Sequence, residues 1–267
     1  CDRIADGDVP EVVVDLLAPT KLTPLLKDGG GIRPVAGGEC LRKLSARALV
    51  REHRATLLDA VGKHQYGAGR PGGAETLVHA VQVVSEARPG HAWVQLDVAN
   101  AFPSVSRRAV LEAVAEYAPA ILPLAETFLR RTSSFVYQGS AGCGELLRAT
   151  LGVEQGDVFG PFLFAVAFRR PVEELRAALV AALVEDGYSP AEAEEAVVLG
   201  AYLDDVLVGV PAAVAARVPA LAAQAFCPRR LPGRAAEGEG LGPGRTLPGR
   251  VRGLVVPAGL AGPRSSS

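Results

Sequence analysis

The sequence contains no methionine, a single tryptophan and only four cysteines in 267 residues. Cys1, Cys40, Cys143 and Cys227 lie far apart and form no C-x-x-C pair, so neither a zinc site nor a disulfide framework is expected. That usage fits a reducing compartment, nucleus or cytoplasm, and not secretion. Long apolar runs are missing as well. The richest, Phe162–Phe168, leads directly into Arg169 and Arg170 and falls far short of the ~18 residues that span a bilayer. No membrane partner is expected. A chain that opens on Cys1 and holds no methionine reads as a piece of a longer reading frame. Basic excess is absent too, the formal net charge being -1. Residues 226–267 carry seven Arg against two Glu, which leaves residues 1–225 at -6. Net charge therefore supplies no general grip on a phosphate backbone, and any such contact needs local basic patches.

What is present is an ordinary globular composition, 49% apolar and 21% charged, enough to bury a core in one or two domains. Residues 1–40 read as extended and turn-rich. Leu41, Leu44, Ala48 and Leu49, then Leu57, Leu58 and Val61, recur at helical spacing from Cys40 to about His64. A second helix is predicted from about Ala74 to Ala87, with Gly67–Gly72 as the turn between the two. That turn satisfies G-x-G-x-x-G, yet it follows a helix rather than a strand and contains Pro71, which argues against a dinucleotide fingerprint. Ala92–Leu96 reads as a buried strand ending at Asp97, and the loop Asn100–Ser104 leads to a helix from about Ser106. Phe135–Tyr137 is a strand edge. Pro161 opens a helix, with Asp157 as its cap and Asn100 as a turn residue. Ser189 and Glu192 have the spacing of a capping box. Two apolar runs, Val197–Leu203 and Val206–Val210, flank Asp204-Asp205 as a β-hairpin. An Ala-rich helix from about Ala212 to Ala225 follows. Residues 226–267 are rich in Gly, Pro and Arg without periodicity and are expected to be disordered.

Three carboxylates stand out, Asp97 at a strand end and Asp204 and Asp205 at a hairpin tip. Taken singly, each also fits a helix cap or a polar turn. Taken together on rigid elements, they are the oxygen donors that hard divalent cations require. Phosphoryl transfer from a nucleoside triphosphate uses two such cations roughly 3.5–4 Å apart.

The blocks around these acids carry a more specific signal. Leu96-Asp-Val-Ala-Asn-Ala-Phe102, Glu154-Gln-Gly-Asp-Val-Phe-Gly-Pro161 and Ala201-Tyr-Leu-Asp-Asp205 occur in that order. They resemble the three central palm motifs of reverse transcriptases, especially those of non-LTR retrotransposons and group II introns. Upstream, Gly31-Ile-Arg-Pro-Val35 resembles the fingers motif of the same enzymes. The likeness runs from about Lys21 to Ala225.

The resemblance implies an α+β right-hand polymerase, a small antiparallel palm sheet backed by helices. Fingers and palm occupy residues 1–225, with the palm mainly at 91–117 and 197–225. The fingers come from residues 1–90 and from the segment between Ala118 and Gly187. No lysine-bearing loop, primer grip or helical thumb is legible after Phe226, so the thumb is expected to be missing. The implied activity is that of a nucleotidyltransferase, the RNA-directed DNA polymerase of a retroelement. It joins deoxynucleoside triphosphates to a DNA primer on an RNA template with Mg²⁺, Mn²⁺ being the alternative ion. Asp97, Asp204 and Asp205 take the place of the metal-binding carboxylates, and the carbonyl of Val98 completes a metal shell. Phe102 matches the aromatic that excludes a 2′-hydroxyl, though a plain core aromatic is its other reading. Gln155 and Gly156 match the pair that lines the nucleotide pocket. Arg33 matches the arginine that clamps the triphosphate, a task suited to a planar donor fork, and Lys27 assists it. The rival readings are an RNA-templated RNA polymerase, against which Phe102 argues, and a non-catalytic remnant of a retrotransposon polymerase.

Overall fold

The computed structural model describes residues 2–26, 28, 30–98, 100–138 and 144–226, together with the backbone of 251–257. Lys27 and the remainder of the tail after Phe226 lie outside the described residues, as do the primer grip and thumb sought there. The first forty residues form more helix than the sequence suggests. Two short helices, α1 (Asp2–Ala5) and α2 (Glu11–Leu17), precede the hairpin β1 (Thr20–Leu26) and β2 (Ile32–Gly37). The Val12–Val14 run, expected to be extended, is helical because Val14 and Leu17 on one face of α2 reach the core.

Next come α3 (Cys40–Glu52), α4 (Arg54–Ala60) and α5 (Gly73–Ala87), so that the single helix expected to His64 breaks at His53. On α3 the expected apolar face is borne out only at Leu49. Leu41, Leu44 and Ala48 point outward, while Arg42, Ser45, Ala46 and Leu49 are buried. The helix is turned because Arg42 is drawn inward by two carboxylates described below. After α5 the chain runs through β3 (His91–Val98), the one-turn α6 (Ala101–Ser104) inside the expected loop, and α7 (Arg107–Tyr117), which is capped by Ser106. Then follow α8 (Leu122–Leu129), β4 (Ser133–Gln138), β5 (Gly144–Ala149) and the long α9 (Gly160–Glu185). The last described part holds α10 (Pro190–Ala196) with its full capping box, β6 (Val198–Tyr202), β7 (Asp205–Pro211), α11 (Val218–Phe226) and β8 (Val251–Pro257).

These strands make two four-stranded sheets. One has the order β2-β1-β4-β5, with β1 and β4 parallel and the other pairs antiparallel. The other has the order β6-β7-β3-β8 and is antiparallel throughout. Strand β8 departs from the disorder expected of residues 226–267. Its Val-Arg-Gly-Leu-Val-Val-Pro stretch is rich in β-branched residues and occupies the edge of β3 that would otherwise carry unpaired backbone groups.

Period-two alternation sorts the palm sheet into two faces. Ala92, Val94 and Leu96 of β3 lie opposite Val210, Val208 and Val206 of β7, and all six are buried. This face belongs to the core that α7, α9 and α11 also build. Helix α9 falls within the segment assigned to the fingers, yet it packs against α7, α10 and α11. On the opposite face Trp93 donates from its indole to Ser85 Oγ of α5 at 2.8 Å. Gln95 and Asp97 continue that face into solvent.

Candidate active site

The carboxylates meet at the open end of the palm sheet. Asp97 of β3 and Asp205 of β7 are direct cross-strand partners, a relation that places Cβ atoms about 4.5–5.5 Å apart. Asp204 sits in the turn just before Asp205. Like charges opposed across a strand pair destabilise a sheet, and these acids feel one another. Burial pushes the Asp204 carboxyl up from its ordinary value. Its own backbone N–H pulls it down, Asp205 and Asp97 raise it further, and Arg33 lowers it. Asp205 is likewise raised, first by burial and then by the charge of Asp97. Among the described residues no three His, Cys, Asp or Glu side chains are already closed into a metal-ligand set. The donor chemistry nevertheless suits a hard divalent cation: carboxylates on two neighbouring strands and one turn, held against their own repulsion. The carbonyl of Val98 lies one residue beyond Asp97, at the end of β3.

Arg33 stands exposed on β2, and its charge reaches Asp204 across the gap between the two sheets. Gln155 and Gly156 lie against β2, the strand that carries Arg33. The Ala36 N–H of β2 donates to the Gln155 carbonyl at 2.6 Å. Gly156 has φ +109°, and a Cβ there would stand 2.6 Å from the Ala36 carbonyl oxygen, so the close approach requires glycine. The side-chain Oε1 of Gln155 is buried and accepts no hydrogen bond among the described residues, an orphan acceptor. Phe102, on α6, is buried and stacks on Phe164 of α9 with centroids 4.6 Å apart. Its ring is therefore continuous with a core ladder that runs on through Phe168 to Phe226. Asn100 takes a left-handed turn at φ +53°. Asp157 accepts from the Phe159 N–H at 2.8 Å in the turn before α9, so it caps that turn rather than the helix itself.

Beneath this loop lie buried charges to which no motif assigns a functional role. Arg42 of α3 pairs with Asp157 at 2.6 Å and with Glu154 at 3.3 Å. Its guanidinium lies over the Phe128 ring, 4.4 Å from the centroid. Glu154 also accepts from Thr20 of β1 at 3.1 Å and from Ser133 of β4 at 3.3 Å. Arg107 of α7 donates to the Gly152 carbonyl, the Arg131 carbonyl and Ser133 Oγ. Burial lowers the pKa of the Arg107 guanidinium, while the charge of Glu154 raises it. The network pins both ends of the Val153–Asp157 segment that presents Gln155 and Gly156. Its sequence signal is slight, an arginine between Leu41 and Lys43 on a helix, which reads equally well as an exposed side chain.

Comparison with known proteins agrees with this architecture. The chain is 27% identical over 230 residues to the retrotransposable element SLACS 132 kDa protein of Trypanosoma brucei gambiense. The match covers 84% of this chain and 17% of that protein, so the chain spans about a sixth of the length of its curated relative. Apo telomerase from Candida tropicalis, truncated of its C-terminal domain, superposes with a TM-score of 0.55. It shares 10% identity, with 78% of this chain and 47% of that one covered. The fold is that of a right-hand polymerase. A second apo telomerase structure from the same yeast matches with a TM-score of 0.50 and 10% identity, over 75% of this chain and 40% of that one. No protein-family model matches the chain. The reverse-transcriptase resemblance drawn from the ordered blocks is borne out by the retrotransposon relative and the telomerase fold together.

Proposed function

We propose that the chain carries the polymerising centre of a retroelement reverse transcriptase. It extends a DNA primer on an RNA template by joining the α-phosphate of a deoxynucleoside triphosphate to the primer 3′-hydroxyl, with pyrophosphate leaving. The observation that carries this reading is Asp97 in register with Asp205, with Asp204 beside them and the charge of Arg33 facing the acids from the other sheet. Asp97, Asp204, Asp205 and the Val98 carbonyl would hold Mg²⁺, with Mn²⁺ as a substitute. When bound, two such ions lower the pKa of the attacking hydroxyl and share the charge of the in-line transition state. Arg33 offers a planar fork to the phosphates. Gln155 and Gly156 line the nucleotide pocket, and the missing side chain of Gly156 keeps its floor low. Phe102 closes the sugar side of the pocket, and its stacking on Phe164 keeps the ring from yielding to a 2′-hydroxyl.

Primer extension on an RNA template with deoxynucleotides and Mg²⁺ tests the proposal. The parent chain should extend the primer, and Asp204→Asn should lose essentially all extension. Equal incorporation by the two would sink the metal assignment. A second reading, a non-catalytic remnant of the same polymerase, is favoured by the net -6 of residues 1–225, which offers no basic field to a phosphate backbone. It predicts no extension by the parent at any Mg²⁺ or Mn²⁺ concentration.

A further inference from the structure

One segment of the molecule, His64–Gly67, is built against the acidic hairpin, and only its last residue, the first glycine of the Gly67–Gly72 turn, belongs to a motif named so far. It runs parallel to the outer edge of β6. The Ala201 N–H donates to the His64 carbonyl at 2.7 Å, and the Tyr66 N–H donates to the Ala201 carbonyl at 2.7 Å. Between them Gln65 is 4% exposed. Its Oε1 accepts from the Leu203 N–H at 2.8 Å and from the Gly67 N–H at 3.0 Å, and its Nε2 donates to the Leu203 carbonyl at 3.4 Å. One amide thus grips both backbone polar groups of Leu203.

Leu203 needs such a grip. Its φ of +56° is left-handed, a conformation only one other described non-glycine residue adopts, Asn100. Leucine lacks the short polar side chain that eases Asn into this region, and such strain persists only where the surroundings over-determine it. Leu203 is also the residue immediately before Asp204. Gly67 completes the clamp, since a Cβ there would stand 2.6 Å from Leu203 N and 2.8 Å from Leu203 Cγ.

We infer that Gln65 is a positioning residue of the carboxylate site, holding Leu203 left-handed so that Asp204 stands at a fixed place relative to Asp97 and Asp205. The relevance of that position to catalysis rests on the polymerase reading above. The grip itself does not.

The test uses the full chain and two variants. Gln65→Ala removes the whole grip, and Gln65→Glu keeps the acceptor for Leu203 and Gly67 but loses the donor. The first readout is amide hydrogen exchange at Leu203, measured by NMR without metal, with Val206 and Val208 of β7 as internal references. Gln65→Ala should speed exchange at Leu203 by about ten-fold, as for losing one buried hydrogen bond, and leave the references unchanged. Gln65→Glu should show a smaller effect in the same place, which keeps the proposal testable if the alanine variant does not fold. Unchanged exchange at Leu203, or equal acceleration at all three amides, overturns it. The second readout is primer extension: kcat should fall and the Mg²⁺ half-saturation rise, with KM for the deoxynucleotide little altered. If Leu203 exchange responds while the parent neither extends primers nor binds Mn²⁺, the positioning role stands and the polymerase reading fails.

Discussion

Asp97 and Asp205 face one another at a position where opposed carboxylates cost stability unless a cation lies between them. The sign of the consequence can be worked out. Asp204 and Asp205 are raised above their ordinary values in the folded chain, so folding favours their protonated forms. The stability they contribute is present at low pH and is lost as pH rises through their folded values. At neutral pH without divalent cations, Asp205→Asn should therefore raise the melting temperature above that of the parent. Added Mg²⁺ should stabilise the parent and leave the variant nearly unmoved. His64 has the opposite sense. Burial lowers its pKa despite the Leu199 carbonyl, which Nδ1 approaches at 3.1 Å, and Nε2 has no partner among the described residues. Its stability contribution is present above the ordinary histidine value and is lost as pH falls through the lower, folded one. His64→Asn should flatten the acid limb of a melting-temperature profile below about pH 6.5. At Phe102, substitution by Val should admit ribonucleotides in a primer-extension assay. It should also destabilise the chain by less than the ~3–5 kcal/mol of a Phe→Ala truncation, because stacking on Phe164 is lost. Unchanged sugar discrimination would return Phe102 to a purely structural role.

Among the elements, the strands and helices with local signatures were legible. The 197–210 hairpin could be read because two apolar runs bracket a polar tip. Helix α10 could be read because its capping box is written in four consecutive residues, and β3 because its run ends on an acid. Helix α3 was misread because its partners are distant. Its inward face is set by Asp157 and Glu154, more than a hundred residues away, and no window on α3 records them. The same distance explains why the Gln65 grip on Leu203, 138 residues on, left no mark in sequence. The buried network carries a prediction of its own. Arg42→Met strands two carboxylates that are nearly inaccessible, and breaking a buried pair in this way costs about 3–5 kcal/mol. Chemical denaturation should show that loss. Replacing Arg108, whose pairing with Glu112 lies on the surface, should change stability by less than about 1 kcal/mol.

At the scale of the whole molecule there are two sheets, and the Val153–Asp157 segment is fastened to β1, β2 and β4 of the first. One sheet presents Arg33 and the other the acids. The palm was legible because its strands announce themselves by alternation and by their acids. Of the fingers sheet only β4 was legible, at Phe135–Tyr137, because the rest depends on the parallel pairing of β1 with β4 and on a β5 strand with no alternating pattern of burial. Residues 1–225 carry a net -6, so the account locates attraction for a nucleotide at a bound cation and at Arg33, not in a basic field. That claim is open to one direct measurement: Mn²⁺ binding followed by electron paramagnetic resonance in the presence of a deoxynucleoside triphosphate, for the parent and for Asp97→Asn. The account predicts nucleotide-dependent Mn²⁺ binding by the parent that is lost in the variant while the variant stays folded. Equal binding by both chains, or none by the parent, would contradict it.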